Sequence, residues 1–206
     1  MKDPSEAKTR LKLVMSKQDR HLLAKKLFCR TLDVICDVRQ RLPLREIDFV
    51  VVTSSEEIKA IAKKYGANVI REAPASSLRS ALRQAVVWAE DRQYKSILIL
   101  PADLADPSPV DIMGLIRISK CSEKEIIISP SMDYGTNALL ISPPSAVPLL
   151  FGYRSFFKHY RKAINSGVMV TVAPLASLKC DVDRAEDLQF LKKNNPHVWK
   201  ALTQHG

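Results

Sequence analysis

Behind Ser16, apolar residues recur at helical spacing: Leu22, Leu23, Leu27, Phe28, Leu32, Ile35 and Val38. That stripe predicts a long amphipathic helix over residues 16–42. Ser16 followed three residues later by Asp19 resembles a capping box and marks its start. The period then changes. Ile47-Asp48-Phe49-Val50-Val51-Val52-Thr53 is a β-branched run that reads as a strand, and after Ser54 and Ser55 residues 56–65 read as a helix closed by Gly66. The cycle repeats with a strand at 68–70, a helix over 77–93, an apolar strand at 96–100 and a helix opened by Ser108 and Pro109. Residues 125–129 and 137–142 are two further strands, separated by the turn-forming Asp133-Tyr134-Gly135. A helix over 154–166 closed by Gly167, a strand at 168–173 and a helix over 185–193 complete the pattern.

Strand and helix in alternation predict an α/β fold, a mostly parallel sheet with helices on both faces. Ile97-Leu98-Ile99-Leu100 is apolar at every position, as a strand buried on both faces requires. In such folds ligands sit beyond the carboxyl ends of the strands, so the chemistry is to be sought in the loops there. With 206 residues, 46% hydrophobic and 26% charged, one globular domain is expected, and disordered or collagen-like architectures are excluded. Neither a repeat nor an inter-domain linker is visible.

Charge changes the picture at one end. Residues 1–45 hold 12 basic and 5 acidic side chains, so +7 of the formal +10 lies there, and an anionic partner near the N-terminal third is expected. No apolar run approaches the roughly 18 residues needed to span a bilayer, and nothing behind Met1-Lys2-Asp3-Pro4 resembles a signal peptide, so a cytoplasmic protein is expected. Cys29, Cys36, Cys121 and Cys180 form no CxxC pair, which predicts reduced thiols packed in the core and excludes zinc fingers.

Six glycines form neither GxGxxG nor GxxxxGK[ST], so any phosphate must be held by side chains and metal. His21, His159, His197 and His205 are scattered without HExxH spacing, there is no GxSxG elbow, and His21 and His159 read as helix-surface residues. What remains is carboxylates at strand ends. Asp103 follows Leu100-Pro101-Ala102, and Asp181-Val182-Asp183 precedes the last helix. Alternation in an extended chain points Asp181 and Asp183 to one side, where they could share a hard cation such as Mg2+ with Asp103; the competing reading is helix capping and surface solvation. Lys2, Lys8 and Arg10 stand in a loop before a helix, suited to a polyphosphate, although such a run alone is usually a solvated basic tail. Tyr134-Gly135-Thr136-Asn137 and Phe151-Gly152-Tyr153-Arg154-Ser155 suit a small phosphate or carboxylate, or are simply a turn and a helix cap.

Taken together, Lys2-x5-Lys8-Thr9-Arg10-Leu11, Pro101-Ala102-Asp103-Leu104, Gly135-Thr136-Asn137-Ala138-Leu139, Phe151-Gly152-x-x-Ser155-Phe156 and Asp181-x-Asp183-x-x-Glu186-Asp187-Leu188 span nearly the whole chain. Their order and spacing resemble the 2-phospho-L-lactate guanylyltransferase family of nucleotidyltransferases, which serves biosynthesis of the deazaflavin coenzyme F-420. The resemblance implies one Rossmann-like nucleotidyltransferase domain over residues 1–206, of the nucleotide-diphospho-sugar transferase type. It implies Mg2+ held by Asp103, Asp181 and Asp183, also the catalytic residues; GTP phosphates facing Lys2, Lys8 and Arg10; and 2-phospho-L-lactate or phosphoenolpyruvate on Thr136, Gly152 and Ser155. An oxygen of the acceptor phosphate would attack the α-phosphorus of GTP and release pyrophosphate. Because a phosphate monoester loses its second proton near pH 6, no general base is needed.

In that family an apolar strand precedes the lysine loop, whereas here only Met1 stands before Lys2. The expectation is therefore a sheet lacking its first strand, and a natural chain beginning upstream of Met1. Rival readings are a relative using another nucleotide or acceptor, such as a molybdenum-cofactor guanylyltransferase, a truncated inactive relative, and a nucleic-acid-binding domain suggested by the basic N-terminal third. Against the last stands the lack of a clustered aromatic platform, so no nucleic-acid partner is expected. No membrane partner is expected either, and a homodimer is left open.

Overall fold

The computed structural model describes residues 1, 3–42, 47–73, 77–121 and 123–203. Two 3-10 turns, Pro4–Glu6 and Thr9–Leu11, lead into helix α1, Lys17–Arg41. Ser16 caps it, its hydroxyl accepting the Asp19 N–H. There follow β1 (Val50–Thr53), α2 (Glu56–Lys64), β2 (Asn68–Arg71), α3 (Leu78–Asp91), β3 (Ile97–Ile99), α4 (Pro109–Ile118), β4 (Glu125–Pro130), β5 (Thr136–Ser142), α5 (Ser155–Asn165), β6 (Met169–Val172), α6 (Ala185–Asn194) and α7 (Pro196–Thr203). Ser55, Ser77 and Ser108 accept backbone N–H groups at the starts of α2, α3 and α4, because a short hydroxyl in extended backbone reaches donors the helix cannot satisfy itself.

The α/β class with helices on both faces holds. One face of the larger sheet packs Ile127, Ala138 and Leu140 against Val38 of α1 and Ile112, Met113 and Leu115 of α4. The opposite face packs Ile126, Ile128, Leu139 and Ile141 against Val86 of α3 and Ala163 of α5. The pairing differs from a simple parallel sheet. Strands β1 and β2 pair in parallel, while the larger sheet runs β3-β5-β4-β6 with β5 antiparallel to both its neighbours and β4 parallel to β6. The cause is the short turn at 131–135: a connection of that length can only return the chain alongside itself, whereas a parallel neighbour needs a crossover of a dozen residues or more. Ile97 and Leu98 are only half-buried, and β5 is the one strand paired with β3 among the described residues.

The N-terminal segment lies across the ends of β1 and β3. Met1 donates to the carbonyl of Val52, on the edge of β1 away from β2, and the Thr53 hydroxyl donates to the carbonyl of Met1. Asp3 accepts from the Ser55 hydroxyl at 2.6 Å. Beyond β3, Leu104 pairs with Asp181 in an isolated antiparallel bridge, flanked by Ala105 N–H to Cys180 C=O and Val182 N–H to Asp103 C=O. Leu11, Leu23, Leu27, Ala105, Val182, Leu188, Leu191, Val198 and Leu202 form one apolar cluster under these loops. The cysteines are free and only half-buried, so they pack at core margins rather than deep within.

Leu104 is fully buried between the larger sheet and the carboxylate loops. Leu104→Ala should lower unfolding stability by about 2–5 kcal/mol in urea titration, while Leu104→Met should cost less than about 1.5 kcal/mol.

Candidate active site

Asp103, Asp181 and Asp183 converge beyond the carboxyl end of β3. Val182, between the last two, is fully buried in the apolar cluster with Leu11 and Leu188. In an extended segment its neighbours therefore project the other way, which puts both carboxylates on one side. Asp187, at the start of α6, holds the segment by accepting the Asp183 and Arg184 N–H groups at 2.9 and 2.7 Å.

Lys8 enters this group from the N-terminal loop. Its ammonium donates to Asp103 Oδ2 at 2.5 Å and to Asp183 Oδ1 at 3.0 Å, with the Lys8 side chain only 5% exposed. Burial opposes the positive charge, but Asp103 and Asp183 outweigh it and hold the Lys8 pKa above its ordinary value. The backbone of Lys8 is left-handed, φ 55°, an unusual conformation for a residue with a Cβ, which turns the chain between the two 3-10 turns. Leu11, fully buried three residues on, anchors that turn. Arg10 reaches Asp183 at 3.4 Å but is 63% exposed, so this second pair adds little fixed energy. Lys2 lies outside the described residues.

Among the described residues Asp181 has no lysine partner. Burial raises its pKa to about 6, the charges of Asp103 and Asp183 add to the rise, and a hydrogen bond from Asn137 Nδ2 at 3.3 Å opposes it. Asn137 also joins this acidic group to a second one. The adjacent Thr136 hydroxyl lies 2.9 Å from the Ser155 hydroxyl and 3.2 Å from His159 Nδ1. Gly152 supplies the bend before α5 with φ 122°; no atom lies within 4 Å of a Cβ built there, so conformation rather than space calls for glycine. Its carbonyl accepts the Ser155 N–H, and the Phe156 N–H donates to Tyr134 C=O, tying the two loops together.

The sequence-predicted residues thus fall into two adjoining groups, Lys8, Arg10, Asp103, Asp181 and Asp183 in one, Thr136, Gly152 and Ser155 in the other. Three contributors were missed. Asn137 and Asp187 lay inside the motifs but without roles, and His159, expected on a helix surface, is fully buried. Among the described residues no three His, Cys, Asp or Glu side chains form a ready metal nest. The space between Asp103 and Asp183 is nevertheless built for positive charge, since the Lys8 ammonium stands there, and carboxylate oxygens are the donors a hard divalent cation takes.

A mixed α/β sheet with carboxylates at strand ends, a lysine loop and hydroxyls on the far side is an arrangement compatible with a nucleotidyltransferase. The solved structures agree on the fold: a protein of Desulfovibrio desulfuricans G20 provisionally named a nucleotide-diphospho-sugar transferase superposes with a TM-score of 0.75, at 18% identity, over 98% of this chain and 90% of that one. CMP:2-keto-3-deoxy-manno-octonic acid synthetase superposes with a TM-score of 0.54 at 8% identity, over 81% and 87% of the two chains. Residues 1–195 match the family described as guanylyl transferase, CofC like, and the chain belongs to it. A 3-phospho-D-glycerate guanylyltransferase of Colwellia psychrerythraea is 36% identical over 99% of this chain and 94% of its own length. The 2-phospho-L-lactate guanylyltransferase of Methanothermobacter thermautotrophicus is 32% identical over 89% and 78% of the two chains. A phosphoenolpyruvate guanylyltransferase of Roseiflexus castenholzii is 32% identical over 96% and 88%. Among the described residues no helix is long and apolar enough to cross a membrane.

The raised pKa of Asp181 has a pH signature. A folded pKa of about 6 against an ordinary value of 3.8 means the folded state keeps a proton that the unfolded chain releases. Stability therefore falls as pH rises from about 4 to 6, and the whole penalty is present above that window. In chelator-treated protein, Asp181→Asn should gain on the parent by on the order of 2 kcal/mol more at pH 7.5 than at pH 4.5. Thermal melting of both proteins at the two pH values measures this; a gap independent of pH would contradict the buried-carboxylate account.

Proposed function

We propose that this protein transfers GMP from GTP to a small phosphorylated hydroxy acid with release of pyrophosphate, as a step in coenzyme F-420 biosynthesis. The observation that carries the reading is the Lys8 ammonium clamped between Asp103 and Asp183, one hydrogen bond through Asn137 and Asp181 away from the Thr136–Ser155 hydroxyl pair. Lys8 and Arg10 face the triphosphate, and Thr136, Gly152 and Ser155 hold the acceptor. Asp103, Asp181 and Asp183 are the oxygen donors that would hold Mg2+, which when bound supplies charge neutralisation for the triphosphate.

The chain's own residues have two tasks, holding two anions close and lining up the attack. An acceptor phosphate is mostly dianionic at neutral pH, so its oxygen is already a nucleophile and no side chain has to remove a proton. Alignment is then the main catalytic demand, and rigidly held donors on either side meet it. The relatives act, by name, on 3-phospho-D-glycerate, 2-phospho-L-lactate and phosphoenolpyruvate. Each offers one phosphate and one carboxylate, and the same hydroxyl pair suits all three.

The deciding experiment incubates the protein with GTP, Mg2+ and each of the three acceptors, measures pyrophosphate and weighs the products. A guanylylated acid is expected from at least one; pyrophosphate from none overturns the reading. Asp103→Asn should abolish that turnover while leaving the fold intact, since the carboxamide keeps shape but loses charge. Lys8→Ala should weaken GTP by roughly ten- to a hundredfold, about 1.5–3 kcal/mol, with a smaller effect on the acceptor. Arg10→Ala should follow the same direction more weakly because Arg10 is largely exposed. Calorimetric titration of both ligands tests this, and equal losses for the two would refute the division.

A further inference from the structure

His159 is fully buried on the inner side of α5, one helical turn after Ser155. Both ring nitrogens are engaged. Nε2 accepts the backbone N–H of Leu150 at 2.8 Å, and Nδ1 lies 3.2 Å from the Thr136 hydroxyl. A nitrogen that accepts an N–H carries no proton of its own, so the proton of the neutral ring is on Nδ1. Burial, reinforced by the nearby Lys158 charge and opposed by a hydrogen bond to the Ser155 backbone, pushes the ring's pKa down to about 4, so it is neutral throughout the physiological range. Phe151 stands edge-on to the ring at a centroid distance of 5.0 Å, closing the pocket from another side.

The count of hydrogens follows. The Nδ1–H has two acceptors in reach, the Thr136 oxygen and the backbone carbonyl of Ser155 one turn back, and with either of them neither hydroxyl of the Thr136–Ser155 pair has to spend its hydrogen on the histidine. One of those two hydrogens closes the 2.9 Å contact within the pair. The other has no further protein partner among the described residues. Were the proton on Nε2, it would oppose the Leu150 N–H, and Nδ1 would consume the second hydroxyl hydrogen.

We propose that His159 is a positioning residue for the acceptor: by holding its proton on Nδ1, the nitrogen that faces Thr136, it leaves one hydroxyl hydrogen of the Thr136–Ser155 pair free to bind an anionic oxygen of the acceptor. The proposal rests on the reading of Thr136 and Ser155 as acceptor-binding residues. The imidazole acts here by its tautomer, neither taking nor giving a proton during turnover, and it touches the acceptor only through Thr136.

Two variants separate this from a merely structural role. In His159→Asn the amide nitrogen stands near the former Nδ1 and can still donate to Thr136, whereas in His159→Gln the amide oxygen stands near the former Nε2 and can still accept from Leu150. With whichever of the three acceptors supports pyrophosphate release, His159→Gln should raise the acceptor KM roughly tenfold with the GTP KM unchanged, and His159→Asn should stay within about threefold of the parent. The reverse order, or equal effects of the two, makes the residue structural and overturns the proposal. Independently of activity, nitrogen-15 NMR of the parent protein should show His159 protonated at Nδ1 and unchanged from pH 5.5 to 8; an Nε2-protonated ring overturns it. Thr136→Val and Ser155→Ala are the controls. If neither raises the acceptor KM, the acceptor site itself is misassigned; if both do while His159→Gln does not, only the role of His159 fails.

Discussion

Three carboxylates gathered at one end of a sheet repel one another, and the structure around them answers that constraint. Lys8 is the answer for two of the three. Its ammonium, withdrawn from water, would be costly if unpaired, and Asp103 and Asp183 would be costly without it. Each side therefore holds the other in place, and the loop carrying Lys8 is committed to the end of β3. Asp181, hydrogen-bonded to the Asn137 amide, carries a raised pKa, first because it is buried and then because of the neighbouring carboxylates. Such a group is poised for additional positive charge, and this electrostatic shortfall supports the metal reading.

The loops that bear these charges are irregular, yet they are placed accurately because each has an apolar anchor beside its functional residue. Leu11 follows Lys8 and Arg10, Leu104 and Ala105 follow Asp103, and Val182 separates Asp181 from Asp183; all four are buried. Leu11, Ala105 and Val182 share one cluster with Leu23 and Leu27 of α1 and with α6 and α7. The Leu104–Asp181 bridge fixes the register between two of the loops. A long first helix and two short last ones, far apart in sequence, thus meet beneath the site, and their packing energy is what holds the charges at hydrogen-bond distance.

How much of this was readable in the chain depends on the kind of signal each feature leaves. The strand and helix positions were legible because period and capping residues agree locally: Ser16, Ser55, Ser77 and Ser108 each open the helix they announce. The direction of β5 was not taken from Leu139, Leu140 and Ile141, because an all-apolar strand looks alike in either direction; only the length of the 131–135 turn carried that information. Strand-end aspartates stood out by position, so Asp103 and the Asp181–Asp183 pair were identified. His159 was misplaced on the surface for a definite reason. The buried stripe of α5 is Ser155, His159 and Ala163, small or polar at every step, while the aromatic Phe156, Phe157 and Tyr160 beside it are only half-buried or exposed. A helix that turns its polar residues inward defeats a reading based on hydrophobic periodicity.

On the proposed division of labour the two halves of the site use opposite electrostatics, and there is a reason for them to do so. GTP arrives with several negative charges that must be neutralised before another anion can approach, and the proposed nucleotide side holds the Lys8 ammonium and the Arg10 guanidinium beside its carboxylates. The acceptor phosphate must keep its electron density on the attacking oxygen. A cation placed directly on that oxygen would bind it more tightly in the ground state than in the transition state, which lowers KM without helping the chemical step. Neutral donors such as Thr136 and Ser155 orient the group while withdrawing less charge from it. A neutral, buried His159 behind them fits the same requirement: protonation would put a full positive charge behind the hydroxyl pair, and burial keeps the ring uncharged at the pH where the acceptor is dianionic.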